Sequence, residues 1–232
     1  MALDPKKLQK KRAKKAAKRR AAVTAKKTAG AVGFFGAGRQ ITLATSSPLH
    51  ECLRAEELFA TGMGTVIVSR SLPNGDIGAS YFLLDVYCLG VKNAYFLALD
   101  RDEYEYRLST ISQNETLVPI HPTCARKLVE GAEAYARELG FGPHPDYQLA
   151  KRIFADIDAA ACPTSFTFGK DGKPFFIVGP NDSPKKVKKI LDTLTKRCGL
   201  DGFHYLVGVG EEEEFAVEDS ELDDEEDLEK ED

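Results

Sequence analysis

The sequence predicts an α+β fold: a mostly antiparallel sheet with two hairpins, covered by four to five helices and carried between disordered, charged termini. Three observations predict it. Two β-rich runs flank Pro73-Asn74-Gly75, and two more flank Lys170-Asp171-Gly172-Lys173, the arrangement hairpins require. Runs with apolar residues at helical spacing are mixed among these hairpins in no repeated βαβ order, which points away from a parallel sheet. Charge is pushed to the two ends, leaving the middle with the balance of an ordinary globular surface. Residues 1–28 carry +11, residues 211–232 carry −14 and residues 29–210 carry −1.

A chain of 232 residues, 43% of them hydrophobic, holds enough apolar material for one core. The sequence divides into a basic tail with a Gly-rich joint over 1–38, one α+β domain over 39–210 and an acidic tail over 211–232. Alternation from Gln40 to Thr45 predicts a first strand. SPLHECLRAEELFATG reads as a short helix with Leu49, Leu53 and Leu58 as its apolar positions, ended by Gly62. GTVIVSRSL and DIGASYFLLDVYCLG then form the first hairpin, with Asn74 and Gly75 both accepting positive φ. The second of these strands is apolar on both faces and belongs in the sheet interior.

AYFLALD is the next strand. Asp100 with Glu103 fits an N-cap and its partner for a helix from Arg101 to Ser112. A helix from Pro122 carries Leu128, Val129, Ala132, Ala136 and Leu139 on one stripe and stops at Gly140. Another follows PHPD with Leu149, Ile153 and Ile157. TSFTFG and PFFIVG make the second hairpin. Ser183 and Pro184 open a last helix with a Val187, Ile190, Leu191 and Leu194 stripe, closed by Gly199, before a final strand from Phe203 to Val207.

The five cysteines, Cys52, Cys88, Cys124, Cys162 and Cys198, are odd in number and widely spaced, and they read as reduced thiols in a reducing compartment. No apolar run approaches the roughly 18 residues of a membrane span, and the start has no apolar stretch behind its positive charge. The cytoplasm is the expected address.

The N-terminal segment offers Lys6, Lys7, Lys10, Lys11, Arg12, Lys14, Lys15, Lys18, Arg19 and Arg20 on good helix formers with almost nothing to bury. Such a segment suits the phosphates of a nucleic acid, RNA ahead of DNA, with affinity falling steeply in salt. The plain alternative is a solubilising or targeting tail. The acidic segment 211–232 is too charged to collapse, and its opposite sign lets it contact the basic tail as a competitor. A second basic cluster, Lys185, Lys186, Lys188 and Lys189, crowds the first turns of the last helix. The macrodipole favours acids there, so the placement opposes helix stability. With Lys170 and Lys173 it could hold a phosphate; the alternative is a solvated lysine face. Phe166, Phe168, Phe175 and Phe176 are candidate stacking platforms that core packing explains as well.

Asp85 is the candidate with chemistry. It lies in a strand that looks buried on both sides, and a buried carboxylate needs a partner. With Asp100 it could serve a metal-assisted phosphodiesterase. Pairing with Lys92 or Arg70, or a bulge before Gly90, explains Asp85 without catalysis, and capping explains Asp100. His50 with Cys52 and His121 with Cys124 are close pairs, but their spacing fits no familiar zinc site and no local signature marks a cysteine nucleophile. No metal or other cofactor is expected. No Walker loop, dinucleotide fingerprint, nucleophile elbow or HExxH is present.

At FLLDVYCLGVKNAYF and YARELGFGPHPDY the chain resembles a family of uncharacterised bacterial proteins, over most of residues 45–207 and neither tail. The resemblance implies a bacterial cytosolic protein and no activity. The expected function is that of a non-enzymatic nucleic-acid-associated protein, on RNA or ribosomal particles. The alternatives are a metal-dependent nucleic-acid hydrolase centred on Asp85 and a protein-interaction module.

Overall fold

The sheet is organised around its first hairpin. In the computed structural model, which describes residues 36, 38–179 and 182–207, strands β2 (Met63–Ser71) and β3 (Ile77–Asp85) pair antiparallel from Met63 opposite Asp85 to Ser71 opposite Ile77. The Leu72 N–H donates to the Asp76 carbonyl at 2.8 Å and the Gly75 N–H to the Leu72 carbonyl at 3.0 Å. The loop is thus three residues long and closed by Gly75 at φ 89°. Of the Asn-Gly pair only the glycine takes positive φ. Asn74 instead holds the loop through its amide, which donates to the Asp76 carboxylate at 2.7 Å.

Strand β4 (Gly90–Leu99) adds to β3, β1 (Leu49–Ala55) adds to β2, and the short β5 (Leu117–Pro119) adds to β1. The order is β4-β3-β2-β1-β5, every pair antiparallel. Strand β3 is interior, as its two apolar faces predict.

The segment before Pro48 corrects one expectation. Residues 38–45 form a helix (α1) rather than a strand, because the residues that need burial are Ile41 and Ala44, three apart and both fully buried, while Leu43 faces solvent. The next segment corrects another. Leu49–Ala55 is a strand despite its helix-forming composition, because it fills the slot between β2 and β5. Only the short α2 (Leu58–Thr61) is helical, and Gly62 ends it in the left-handed conformation.

Helices cover both faces of the sheet. On one, α3 (Arg101–Ser112) places Tyr104 against Ile67, Ala79 and Tyr81. On the other, α4 (Pro122–Glu138) buries Ala125, Leu128, Val129 and Ala132 against Val66, Phe82 and Ala94. The helix predicted after PHPD is shorter than its apolar spacing suggested. It has one α-turn, α5 (Tyr147–Ala150), and then a tighter 3-10 turn over Lys151–Phe154, which together bury Tyr147, Ile153 and Phe154 beside α4.

The second predicted hairpin does not form. Lys170 and Lys173 close a tight turn, with Asp171 at φ 52° and Gly172 at φ 79°, but beyond the turn its arms take different partners. The Gly169 N–H donates to the Val86 carbonyl at 2.9 Å and the Phe175 N–H to the Tyr87 carbonyl at 3.1 Å, so both arms dock on the β3–β4 turn. Strand β6 (Phe175–Ile177) then pairs in parallel with β7 (His204–Leu206), and α6 (Pro184–Cys198) packs over them through Ile190 and Leu194 onto Phe176 and Phe203.

Arg70 of β2 ties these layers together. It is 4% exposed, and its guanidinium donates to the carbonyls of Ser47 (2.8 Å), Ile153 (2.9 Å) and Phe154 (3.3 Å) and to the Asp156 carboxylate (2.9 Å). Loss of this side chain orphans three carbonyls as well as the packing. Arg70→Ala is expected to cost about 3–5 kcal/mol of unfolding free energy. Arg70→Lys is expected to recover little of it, because one ammonium cannot span the same fork of acceptors. Denaturant titration checks both.

Candidate functional site

The carboxylates singled out in the sequence do not come together. Asp85 ends β3 and Asp100 follows β4, whose Leu99 pairs with Ile77 at the other end of β3. About eight residues of strand, roughly 27 Å, separate them. Asp100 caps α3 as predicted, accepting the Glu103 N–H at 2.8 Å. Asp85 is buried, and its Oδ1 accepts the N–H groups of Tyr87 (3.1 Å) and Cys88 (2.9 Å), shaping the β3–β4 turn. Arg70 is committed to Asp156 and is not its partner. Burial raises the Asp85 carboxyl above the ordinary range, against the pull of Lys92 and of the turn N–H groups.

The cysteines and histidines diverge. Cys124, in the first turn of α4, forms a disulfide with Cys162, with Cα atoms 5.0 Å apart. This corrects the reading of five reduced thiols, and for this pair the cysteine argument for a reducing compartment falls away. Cys52 lies in the α4-side core, where burial pushes its thiol up to about 12 despite the nearby Arg70, too high for a thiolate nucleophile near neutral pH. His50 packs edge-on against Tyr104 instead, and His121 Nδ1 meets Thr123 Oγ1 at 2.8 Å. Among the described residues, no three His, Cys, Asp or Glu side chains gather as a metal site would require. No helix among them is long and apolar enough to cross a membrane.

The aromatic platforms are also spoken for. Phe176 is fully buried, Phe166 stacks on Phe59, Phe168 on Tyr135, and Phe175 leans on Tyr87. Lys170 lies 4.9 Å over the Phe175 ring, and Lys173 Nζ donates to the Asp201 carbonyl at 2.9 Å. Neither lines the groove along α6. The ten N-terminal cations from Lys6 to Arg20 and the acidic segment 211–232 lie outside the described residues.

The structure assembles a different site from the second basic cluster. A groove of about 430 Å³ runs between α6 and the loop that follows α4, lined by Leu89, Val91, Lys92, residues 140–145, Lys186, Lys189, Ile190 and Thr193. It continues along α6 into a hollow of about 590 Å³ lined by Gly140, Lys189, Asp192, Thr193, Lys196 and Arg197. The blocks FLLDVYCLGVKNAYF and YARELGFGPHPDY, far apart in the chain, supply two of its walls and α6 the third.

Its construction is local. Lys186, Lys189, Thr193, Lys196 and Arg197 recur at three- and four-residue steps and so share one face of α6, while Ile190 and Leu194 pack beneath. Ser183 caps the helix by accepting the Lys186 N–H at 3.3 Å. Gly140, at φ 93°, lets the opposing loop come close, since a Cβ there would sit 3.1 Å from Thr193 Cγ2 and 3.3 Å from Arg197 Nε. The His144 N–H donates to the Val91 carbonyl at 2.9 Å and pins that loop to β4.

The groove is cationic. Lys92, Lys186, Lys189, Lys196 and Arg197 line it against one carboxylate, Asp192. Lys186 is paired with Asp182 at 2.6 Å. Burial tends to raise the Asp182 carboxyl, but the Lys186 ammonium and the Gly179 N–H outweigh it and hold the group below the ordinary range. Among the described residues, Lys92, Lys189, Lys196 and Arg197 form no ion pair. Lys185 and Lys188 are exposed outside the groove lining. The sequence reading named Lys186 and Lys189 and missed Lys92, Phe141, His144, Lys196 and Arg197. Continuation of the lysine stripe down α6 was the available signal for the last two; nothing local marks the others. Compared with protein-family models, curated proteins and solved structures, the chain matches none.

Three outcomes follow from Asp85 and the disulfide. Asp85→Ala leaves two buried N–H groups without an acceptor and is expected to cost about 1–3 kcal/mol for each. Asp85→Asn keeps an acceptor and removes the buried charge. Because the Asp85 pKa is raised on folding, its contribution to stability is fully present below the unfolded value and is lost as pH rises through the folded one. Asp85→Asn is therefore expected to gain on wild type as pH increases, in melts compared across pH 3–8. The Cys124–Cys162 bridge closes a loop of 38 residues, and reduction or Cys162→Ser is expected to lower stability by about 4 kcal/mol, measured with and without reductant.

Proposed function

We propose that the chain is a non-enzymatic nucleic-acid-associated protein, on RNA or a ribosomal particle, and that its folded part holds a single strand along the α6 groove. The observation that carries the reading is a row of cations, Lys92, Lys189, Lys196 and Arg197, without carboxylate partners among the described residues, beside an apolar floor of Leu89, Val91, Phe141 and Ile190. Cations of that kind release counterions when they meet phosphates, and an apolar floor gives unstacked bases a surface. A duplex keeps its bases inside and has less use for such a floor. From Lys186 to Arg197 the stripe rises about 16 Å, the length of roughly five nucleotides of a stacked strand. The basic segment containing Lys6 to Arg20 adds affinity without sequence preference, and Lys185 and Lys188 extend the positive face. No observation favours cleavage centred on Asp85, whose carboxylate serves the β3–β4 turn.

Anisotropy with labelled single-stranded RNA, single-stranded DNA and duplex across a salt series tests the proposal. The variant Lys189→Glu/Lys196→Glu/Arg197→Glu is expected to bind single strands at least about tenfold more weakly at low salt. Its log–log salt slope should be shallower by about two, at roughly 0.7 per lost phosphate contact. If, in chains lacking residues 1–28, the triple variant binds as tightly as its parent, the groove is not the contact. If neither chain binds nucleic acid, the interaction-module reading replaces this one.

A further inference from the structure

We infer that the acidic segment 211–232 docks in the α6 groove of its own chain and competes there with the external polyanion. The described residues begin and end at opposite ends of the sheet. Helix α1, which the basic segment precedes, packs at the β2–β3 turn, where Arg39, Gln40 and Leu43 share a hollow with Leu72, Pro73 and Asn74. The C-terminal side leaves at the other end. Strand β7 ends at Leu206, pairs with β6, and β6 hooks onto Tyr87 in the β3–β4 turn. Nine residues of β3 separate these turns, about 30 Å.

The groove lies at the C-terminal end. Phe203, just before β7, packs with Ile190 and Leu194 of α6, and Ile190 also lines the groove. The acidic run starts at Glu211, four residues beyond Val207, and holds 15 Asp and Glu against the single Lys230. Four residues span at most about 14 Å and the whole segment at most about 80 Å, whereas α6 is only about 22 Å long. Every groove cation is within reach of some acidic residue. The basic segment, although more highly charged, is rooted about 30 Å away and ends ten residues before α1. Intramolecular concentration falls with the length of chain that must close, so position favours the groove over the basic tail.

Charge supports the same occupant. Lys92, Lys189, Lys196 and Arg197 have no carboxylate partner among the described residues, and 211–232 is an acidic run that starts four residues beyond Val207 in the sequence. The competitive consequence rests on the polyanion-binding reading of the groove, but the docking itself does not. A groove filled nine-tenths of the time binds a competitor about tenfold more weakly.

Carbodiimide cross-linking of the full chain at low salt, read by mass spectrometry, tests the docking without any nucleic acid. Links are expected from carboxylates of 211–232 to Lys92, Lys189 and Lys196, lost at high salt and independent of protein concentration. Links that instead fall on Lys6 to Lys27, or that grow with protein concentration, overturn the inference. Competition is read with a single-stranded RNA probe. Removing 211–232 is expected to tighten binding about tenfold, and Lys189→Gln/Lys196→Gln/Arg197→Gln, which alters only surface side chains, is expected to abolish most of that gain. A gain that survives in this variant but disappears on removal of residues 1–28 overturns the inference and assigns the acidic segment to the basic tail. If the probe binds neither chain while the groove cross-links persist, the docking stands and the nucleic-acid reading fails. Strong RNA binding with cross-links elsewhere overturns the docking and leaves the nucleic-acid reading standing.

Discussion

A guanidinium withdrawn from water must be surrounded by acceptors, and Arg70 meets that constraint by fixing the path of three chain segments. Its acceptors are the Ser47 carbonyl at the α1–β1 junction, the Ile153 and Phe154 carbonyls at the end of the 3-10 turn, and Asp156 just beyond. None of these segments has strong reason of its own to stop where it does. The α5 turn is four residues long, and Ala155 sits at φ 40°, a conformation an alanine does not choose alone. Arg70 gives those carbonyls a partner inside the fold and thereby seats Ile153 and Phe154 over Phe82. The ring of Phe154 stacks there at 5.5 Å.

The irregular segment after Ala155 is held by the same means at smaller scale. Arg126 donates to the Ile157 carbonyl at 2.6 Å, Lys127 to the Cys162 carbonyl at 3.0 Å, and the Cys124–Cys162 disulfide closes the path against α4. Long cationic side chains thus replace the ladder hydrogen bonds that a strand would have supplied. This also explains why TSFTFG makes no hairpin. Its aromatics are taken by Phe59 and Tyr135, and its last backbone donor by Val86, before it can pair with PFFIVG.

Sequence reading succeeded where one period and one punctuation mark agreed. Helices α4 and α6 each combine an N1 proline with an apolar stripe, α3 is marked by its Asp100 cap, and the β2–β3 hairpin combines alternation with a glycine that the turn needs. It failed where tertiary demand outweighed a weak local pattern. Ile41 and Leu43 alternate as a strand would, yet the burial of Ala44 beside Gly78 selects the helix. Leu49 and Leu53 have helical spacing, but β1 is needed to bridge β2 and β5. The groove was half legible. Lys186 and Lys189 stood out because they oppose the macrodipole, whereas Lys92 and the 140–145 loop join them only once β4, α4 and α6 have packed.

The electrostatics of α6 give the groove its direction. At its last turn Lys196 and Arg197 suit the partial negative charge of the helix end. At its first turn no acid is present, and the lysines there work against the helix. Asp182 offsets part of that cost from just outside the helix by pairing with Lys186. Relief therefore reaches Lys186, and among the described residues Lys189, Lys196 and Arg197 form no ion pair. A helix built only for stability would distribute acids among these positions. Burying Ile190 and Leu194 lets α6 carry the unfavourable stripe, because packing onto Phe176 and Phe203 decides whether the helix forms and leaves the composition of its outer face free.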